Sequence, residues 1–499
     1  RIIREQGAND LAAETYDFTH DKIREVAYAS LSPVRRRHLH RRIAGTLEQI
    51  YASRLNTVYP QMAAHYEAAG QWAAAIAALR HSAEAARLRS AFAEAIRYLD
   101  HALSLLASLP AGAEAEACEF GIRVALGPLL LATKGYAAPE VEQAFTRAWE
   151  LCRTSRDVAQ QFPVLWWLSR FYLVQPNLAR GLEVSQQLRN LAEGAGDPGL
   201  LLEAHFAMGT YQFHRGAFAE SRRLLEACLA GFDSVRDGNH SSTYGQDPWV
   251  VGSAYLAWSL WCLGKPASAL AQTEAGLARA QQIDQPYSQV AITTYAAVQQ
   301  QFLNEPQRCF DYAETAIALA DKYGFSLWLS MATFLRGWAQ TIFGHFEAGF
   351  ADMQRSIDLY RESGAELGAN YFMALLADTF GRSGQPDVGL MLMQQAFDLL
   401  ERTADRWCEA ELHRLHGELY LRAGQPEAAS QAFQTAISVA RDQAARQFEL
   451  RALVSLVEFQ QQHGQSVDRQ TLAALVAALD PDDPTPEAKR AVRLLTISA

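Results

Sequence analysis

"GQPEAASQAF" at residues 424–433 and "GQPDVGLMLM" at 384–393 carry glycine, proline and a small residue at matching offsets, 40 residues apart. Glycine just past a helix end accepts the left-handed backbone that closes the helix, and proline fits the first turn of the next. Each stretch therefore reads as helix end, turn and new helix. With the turn residue as reference, Gly264, Asn304, Gly344, Gly384, Gly424 and Gly464 follow one another at steps of 40. Proline stands two residues on at Pro266, Pro306, Pro386 and Pro426.

Small residues keep the same beat. Ala257, Ala297, Gly337, Ala377 and Gly417 precede the reference by seven; Ala269, Cys309, Gly349, Gly389 and Ala429 follow it by five. Gly276, Ala316, Ser356, Ala396 and Ala436 follow it by twelve, each with a bulky neighbour: Leu277, Ile317, Ile357, Phe397 and Ile437. Small side chains at these places let two antiparallel helices approach and let the next pair stack on them. At Gly464 the pattern decays into Val457 and Arg469, as a terminal unit should. Upstream, Gly216 lies 48 residues before Gly264 and Pro176 lies 40 before Gly216; Gly70 with Ala63 and Ala75 marks one clear unit, and Ser90 another half a period on.

Gly417, Tyr420, Gly424, Ala429, Phe433 and Ala436 resemble the tetratricopeptide consensus. The period exceeds that family's ~34 residues, so each helix should be a little longer. The fold class expected is all-α: a right-handed superhelix of about ten helical pairs over residues 56–485. Residues 1–55 precede it, and 486–499 are expected to form a tail.

Composition narrows the function classes. The 499 residues are 49% hydrophobic with a net charge of −10, which argues against a generally basic nucleic-acid surface. No apolar run reaches the ~18 residues of a membrane span, and no signal peptide is visible, so a cytoplasmic setting is expected. The opening Arg-Ile-Ile-Arg reads as a cut from a longer chain. Six cysteines lie 34 or more residues apart and form neither a disulfide framework nor a zinc spacing. No G-x-x-x-x-G-K-[ST] loop occurs, and no carboxylate pair stands out, so no catalytic residue, metal ligand or bound cofactor is expected in this chain.

"YDFTHDKIREVAYASL" (16–31) reads as a short strand and a helix with Ile23, Val26, Ala27 and Leu31 on one face. Ser32 and Pro33 then open a second helix as N-cap and first residue. Phe18-Thr19-His20-Asp21 followed by Ile23-Arg24-Glu25-Val26-Ala27-Tyr28 resembles the winged-helix segment of the bacterial signal-transduction ATPases with numerous domains, the maltose-activator-like and cyclase-associated group. "YGQDPWV" (244–250), "RGWAQ" (336–340), "GAELGANYFMALLAD" (364–378), "RWCEAELHRLHGELYL" (406–421) and "DPTPEAKRAVRLL" resemble the sensor arm of the same group. The resemblance implies an upstream nucleotide-binding domain using ATP and ADP, with any output, including contact with nucleic acid, in a domain outside this chain. It implies that His20 contacts the ADP phosphate in the intact parent; Thr19 replaces the family's usual apolar residue. The other reading of His20 is a residue that caps or packs the helix start.

Transferring the repeat register puts Trp166, Arg170, Phe206, Phe213, Trp258, Trp261, Phe334, Trp338 and Tyr371 on or near a concave groove. Such a groove would take a peptide, a protein or a small-molecule inducer. Two readings stay open: a ligand surface, or rings packed as core because the longer helices curl tightly. "DSVRDGNHSSTYGQDP" (233–248) accounts for the long 48-residue step and reads as a solvated insertion or a flap over the groove. Arg35, Arg36, Arg37, Arg41 and Arg42 form a basic cluster without interleaved aromatics, which reads as a solvated or domain-docking helix face. The function expected is a sensor arm controlling an ADP/ATP switch. The alternative is a protein–protein scaffold without small-molecule sensing.

Overall fold

A computed structural model describes residues 3–6, 15–18, 21–89, 91–135, 138–465, 469–479 and 485–496. His20, Thr19 and Ser90 lie outside the described residues. The chain divides into two compact units, Arg1–Leu129 and Leu130–Ala499. The first hairpins after residue 55 fall in the same unit as the front end.

In the first unit the strands Ile3–Gln6 and Thr15–Phe18 pair antiparallel, Ile3 opposite Phe18. The helix Asp21–Ala29 buries no residue, and Pro33–Ile50 buries only Ala44. Ser32 Oγ accepts from Arg35 N at 3.3 Å, closing the helix start as expected. Of the apolar face expected on residues 23–31, Ile23, Ala27 and Leu31 are half-buried while Val26 is 67% exposed. Tyr59–Ala68 and Trp72–Leu88 form a hairpin about Gly70 (φ 72°), and Phe92–Leu105 packs on it through buried Ala95 and Ala102.

The second unit is a run of hairpins. First helices are Val158–Val174, Pro198–His214, Pro248–Cys262, Pro286–Phe302, Ser326–Ile342, Ala369–Arg382, Glu409–Arg422 and Arg446–Gln462. Each is followed by a second helix, from Leu178–Ala195 to Pro426–Asp442 and last Arg469–Ala477. The first helices are buried almost all round, as Pro248–Cys262 shows, whereas the second helices bury one stripe. An apolar helix without a polar face belongs inside, so the first helices form the inner layer.

The turns follow the chemistry of the repeat. Gly264, Gly344, Gly384, Gly424 and Gly464 all have positive φ, and Asn304 adopts the same left-handed backbone at 54°. The next residue's N–H reaches back to the carbonyl five residues earlier, from Lys265→Leu260 to Gln465→Gln460, at 2.9 Å each time. This is the Schellman closure that satisfies an orphan helix carbonyl. A Cβ on Gly337 would sit 2.7 Å from the Gly349 carbonyl oxygen, and one on Gly389 2.6 Å from that of Ala377. The small residues therefore set the spacing of the two helices in a hairpin. Residues 486–496, expected as part of a tail, form the helix Pro486–Thr496, whose Ala488, Ala491 and Leu494 join the core of the last repeat. Their spacing of three makes one apolar stripe, and that stripe covers the open end of the stack.

Candidate functional site: a ring-filled chamber inside the coil

Within the second unit the stack turns back on itself. The carbonyl of Val174 accepts from Glu366 N at 3.0 Å, and that of His214 from Arg406 N at 2.8 Å. The turn at Gly264 abuts Arg446, and that at Gly216 abuts Gln443. Arg451 donates to the Phe302 carbonyl while its guanidinium lies 4.9 Å from the Trp261 ring centre. The ends of early first helices thus meet the starts of first helices almost five repeats later.

One buried polar clip stands out among these closures. His214 Nδ1 lies 2.9 Å from Asp405 Oδ1, both residues buried. Asp405 Oδ2 accepts from Gly368 N at 2.8 Å, and the Asp405 carbonyl accepts from Asn370 Nδ2 at 2.7 Å. One aspartate, just ahead of Glu409–Arg422, therefore ties the end of Pro198–His214 to the start of Ala369–Arg382.

The curl decides the fate of the residues expected on the groove. Trp166, Phe206, Phe213, Trp261, Phe334 and Trp338 are core: none is more than 4% exposed. Phe213 stacks on Trp407 at 5.4 Å, Trp261 on Phe302 at 4.8 Å and Phe334 on Phe372 at 4.4 Å. Trp166 donates to Glu203 Oε2 at 2.9 Å. Of the two readings of these rings, packing as core is the one that describes these six, because first helices five repeats apart meet across the interior. Arg170, Trp258 and Tyr371 keep a different place: they line a chamber of about 60 Å³ at the centre of the curl.

The chamber wall was mostly missed from sequence. Besides those three it includes His214, Tyr255, Tyr287, Tyr295, Trp328 and Trp407. Tyr255 and Tyr295 are one period apart, a signal available to anyone who extends the repeat to its aromatic positions. Trp407 precedes its helix, so helical register could not find it. Burial, before any neighbouring charge, pushes the hydroxyls of Tyr255, Tyr287 and Tyr295 up, so they stay protonated donors. Tyr371 donates to Gln301 Oε1 at 2.7 Å. The Trp407 indole N–H, 4% exposed, has no hydrogen-bond acceptor among the described residues.

A second space opens beside the first. A cleft of about 310 Å³ is lined by Ile357, Met373, Leu399, Arg361, Glu366 and Arg402 among others. Tyr360 and Phe372 line both spaces. Glu366 and Arg402 form a two-pronged ion pair at 2.6 and 2.8 Å.

The insertion at 233–248 is neither fully solvated nor a flap over this chamber. Its short helix His240–Tyr244 buries Tyr244 against Trp166, and Asp237 is fully covered. His240 Nδ1 meets Glu203 Oε1 at 2.8 Å, and Arg236 pairs with Asp237 at 2.6 Å. Burial pulls the His240 imidazole down, but Glu203, Asp237 and Asp197 outweigh it and hold it above the ordinary value. Desolvation also pushes Glu203 up, against the pull of His240 and Trp166.

In the first unit Arg35, Arg37, Arg41 and Arg42 are exposed, while Arg36 binds the Leu31 and Ala29 carbonyls and covers Tyr28. The cluster is largely a solvated face there. Five of the six cysteines are buried and none is bonded; burial pushes the Cys152 thiol to about 11. Among the described residues no three His, Cys, Asp or Glu are grouped to hold a metal, and no helix is long and apolar enough to cross a membrane.

No family model matches the chain. An uncharacterized protein of Rhizobium meliloti (strain 1021) is 26% identical over 450 residues, which are 89% of this chain and 43% of that protein. The chain thus spans less than half the length of this relative. Among solved structures, a Rap protein complexed with competence and sporulation factor superposes with a TM-score of 0.53 at 14% identity, covering 74% of this chain and 99% of that one. A signal-transduction ATPase with numerous domains and a tetratricopeptide repeat sensor, from Pyrococcus horikoshii, matches 70% of this chain and 50% of its own at 12% identity, with a TM-score of 0.39. The fold is that of a tetratricopeptide-like helical-repeat protein.

Proposed function

We propose that this chain is the sensor arm of a bacterial signal-transduction ATPase, taking an effector inside its coil and passing the event to an upstream nucleotide-binding domain. The observation that carries the reading is the closure of the coil. A few contacts between residues almost 200 positions apart, with His214–Asp405 at their centre, hold shut a ring-lined chamber. A stack closed by so few polar contacts has an alternative open form, and an effector favours one form by its differential affinity for the two. The Rap protein of similar fold is complexed with a factor in its solved structure, and this supports reading the fold as a binder here. His20 would contact the ADP phosphate of the parent's resting state, and Asp21 opens the helix that follows. The unbonded cysteines fit a reducing cytoplasm.

The test needs no known effector. In the parent protein, Asp405→Ala opens the coil and should speed release of bound ADP. Unchanged release from a variant whose coil is open by small-angle scattering would refute the coupling and leave the arm as a scaffold for protein partners.

A further inference from the structure

The chamber's chemistry is one-sided. Its wall offers the Arg170 guanidinium, several protonated tyrosine hydroxyls and the N–H groups of Trp328 and Trp407, both without an acceptor among the described residues, while no carboxylate lines it among the described residues. Asp405, just outside, spends both oxygens on His214 and Gly368. A buried N–H without an acceptor costs about 1–3 kcal/mol, which an incoming acceptor recovers. Arg170 is the permanent charge on the wall, held beside Thr210 Oγ1 at 3.5 Å and 5.4 Å from the Phe206 ring centre.

The two spaces differ in a useful way. The inner one has room for a few small atoms, roughly a carboxylate with its first carbon. The outer cleft is of ligand size and mainly apolar, with Ile357, Phe372, Met373 and Leu399 in its wall. Tyr360 and Phe372 stand between them, with ring centres 6.2 Å apart and near-perpendicular planes. The Tyr360 hydroxyl donates to the Leu367 carbonyl at 2.6 Å, which fixes the ring in the wall the two spaces share.

We infer that the effector is a small aromatic carboxylic acid, its carboxylate in the inner chamber on Arg170 and the Trp407 N–H, its ring against the apolar wall at Tyr360 and Phe372. This rests on the sensor reading of the coil and names the class of molecule it senses. The flat ring suits a wall of stacked aromatics, and the anion supplies an acceptor for the Trp407 N–H beside the positive charge of Arg170.

The experiment titrates the 499-residue chain with benzoate, phenylacetate and indole-3-acetate, and with the neutral and cationic partners benzamide and benzylamine, following tryptophan fluorescence and calorimetry. At least one acid should bind saturably, and its amide at least ~10-fold more weakly, since a hydrogen bond to a charged group contributes about 1.5–3 kcal/mol. Arg170→Met should lose that preference, Arg170→Lys should keep part of it, and Trp407→Phe, which keeps an aromatic ring but no N–H, should weaken the acid ~10-fold. Circular dichroism and urea midpoints establish that each variant is folded. No saturable binding by any acid, equal binding of acid and amide, or acid binding untouched by both Arg170→Met and Trp407→Phe overturns the inference. If instead a peptide or neutral molecule controls ADP release in the parent, the sensor reading survives and the acid assignment fails. Acid binding at Arg170 without any change in ADP release separates the two the other way.

Discussion

Replacing Asp405 with alanine is the sharpest perturbation the coil allows. The carboxylate meets His214 Nδ1 at 2.9 Å and accepts from Gly368 N at 2.8 Å, and it is 1% exposed. Alanine leaves His214 Nδ1 and the Gly368 amide without partners, at about 1–3 kcal/mol each, so the loss should be about 2–6 kcal/mol. Asparagine keeps the volume and one acceptor, so one contact survives and the loss should fall to about half of that. A repeat array opens locally before it unfolds, and a single global midpoint would blur the effect. The assay is therefore hydrogen exchange at the Gly368 amide and across 364–370, alongside urea unfolding of the whole chain. Protection at Gly368 should drop at least ~30-fold in Asp405→Ala, the exchange equivalent of about 2 kcal/mol, with a smaller drop in Asp405→Asn. If Gly368 exchanges as in the wild type and the urea midpoint does not move, the closure is not held by this clip and the case for a latched coil fails.

Ala404 and Ala444 are exposed and carry φ of 56° and 53°, so glycine at either should stabilise by up to about 1 kcal/mol, read as a higher urea midpoint. Gly337→Ala drives a methyl to within 2.7 Å of the Gly349 carbonyl oxygen and should destabilise by about 1–3 kcal/mol; a midpoint within error of wild type would refute the close-approach reading. His240 is held above its ordinary 6.5, so its contribution is complete below that pH and is lost as pH rises through the folded value; Glu203, also raised, acts in the same direction. Proteolysis within 233–248 should accordingly quicken as pH rises past 6.5, and His240→Gln should reduce that pH dependence, leaving the part due to Glu203.

The repeat was legible because helix-closing turns demand special backbone, and glycine, asparagine and proline advertise it. All fifteen small positions named from Ala257 to Ala436 are buried. The other turn of each hairpin escaped notice although it keeps the same period: residues 324, 364, 404 and 444 all adopt positive φ, but two of them are alanine and carry no signature. The aromatic register found the right faces and left their environment open. Trp258 and Tyr371 were placed inward, as they are, but a period of 40 does not say how tightly successive pairs rotate. That depends on contacts such as Glu366 N to the Val174 carbonyl, between backbone atoms whose identity no side chain reveals. Asp405 and Trp407 lie just outside helices, where periodicity has no purchase, and they supply the clip and the free N–H.

The tight closure bears on what kind of molecule can control it. Six more residues per repeat than the usual tetratricopeptide add about three to each helix, roughly 4.5 Å of length. Rings meet across the interior of the coil: Trp407 reaches Phe213, Trp258, Phe302 and Tyr371. A peptide cannot thread such an interior unless the clip first opens. Its apparent affinity would then fall by the fraction of coils that are open, about 30-fold or more if the clip holds by 2 kcal/mol. A small acid entering past Tyr360 bears no such penalty and can instead consolidate the closed form. The same geometry therefore predicts opposite responses to Asp405→Ala, with tighter binding for a peptide effector and weaker binding for a small one, so a single variant tells the two apart.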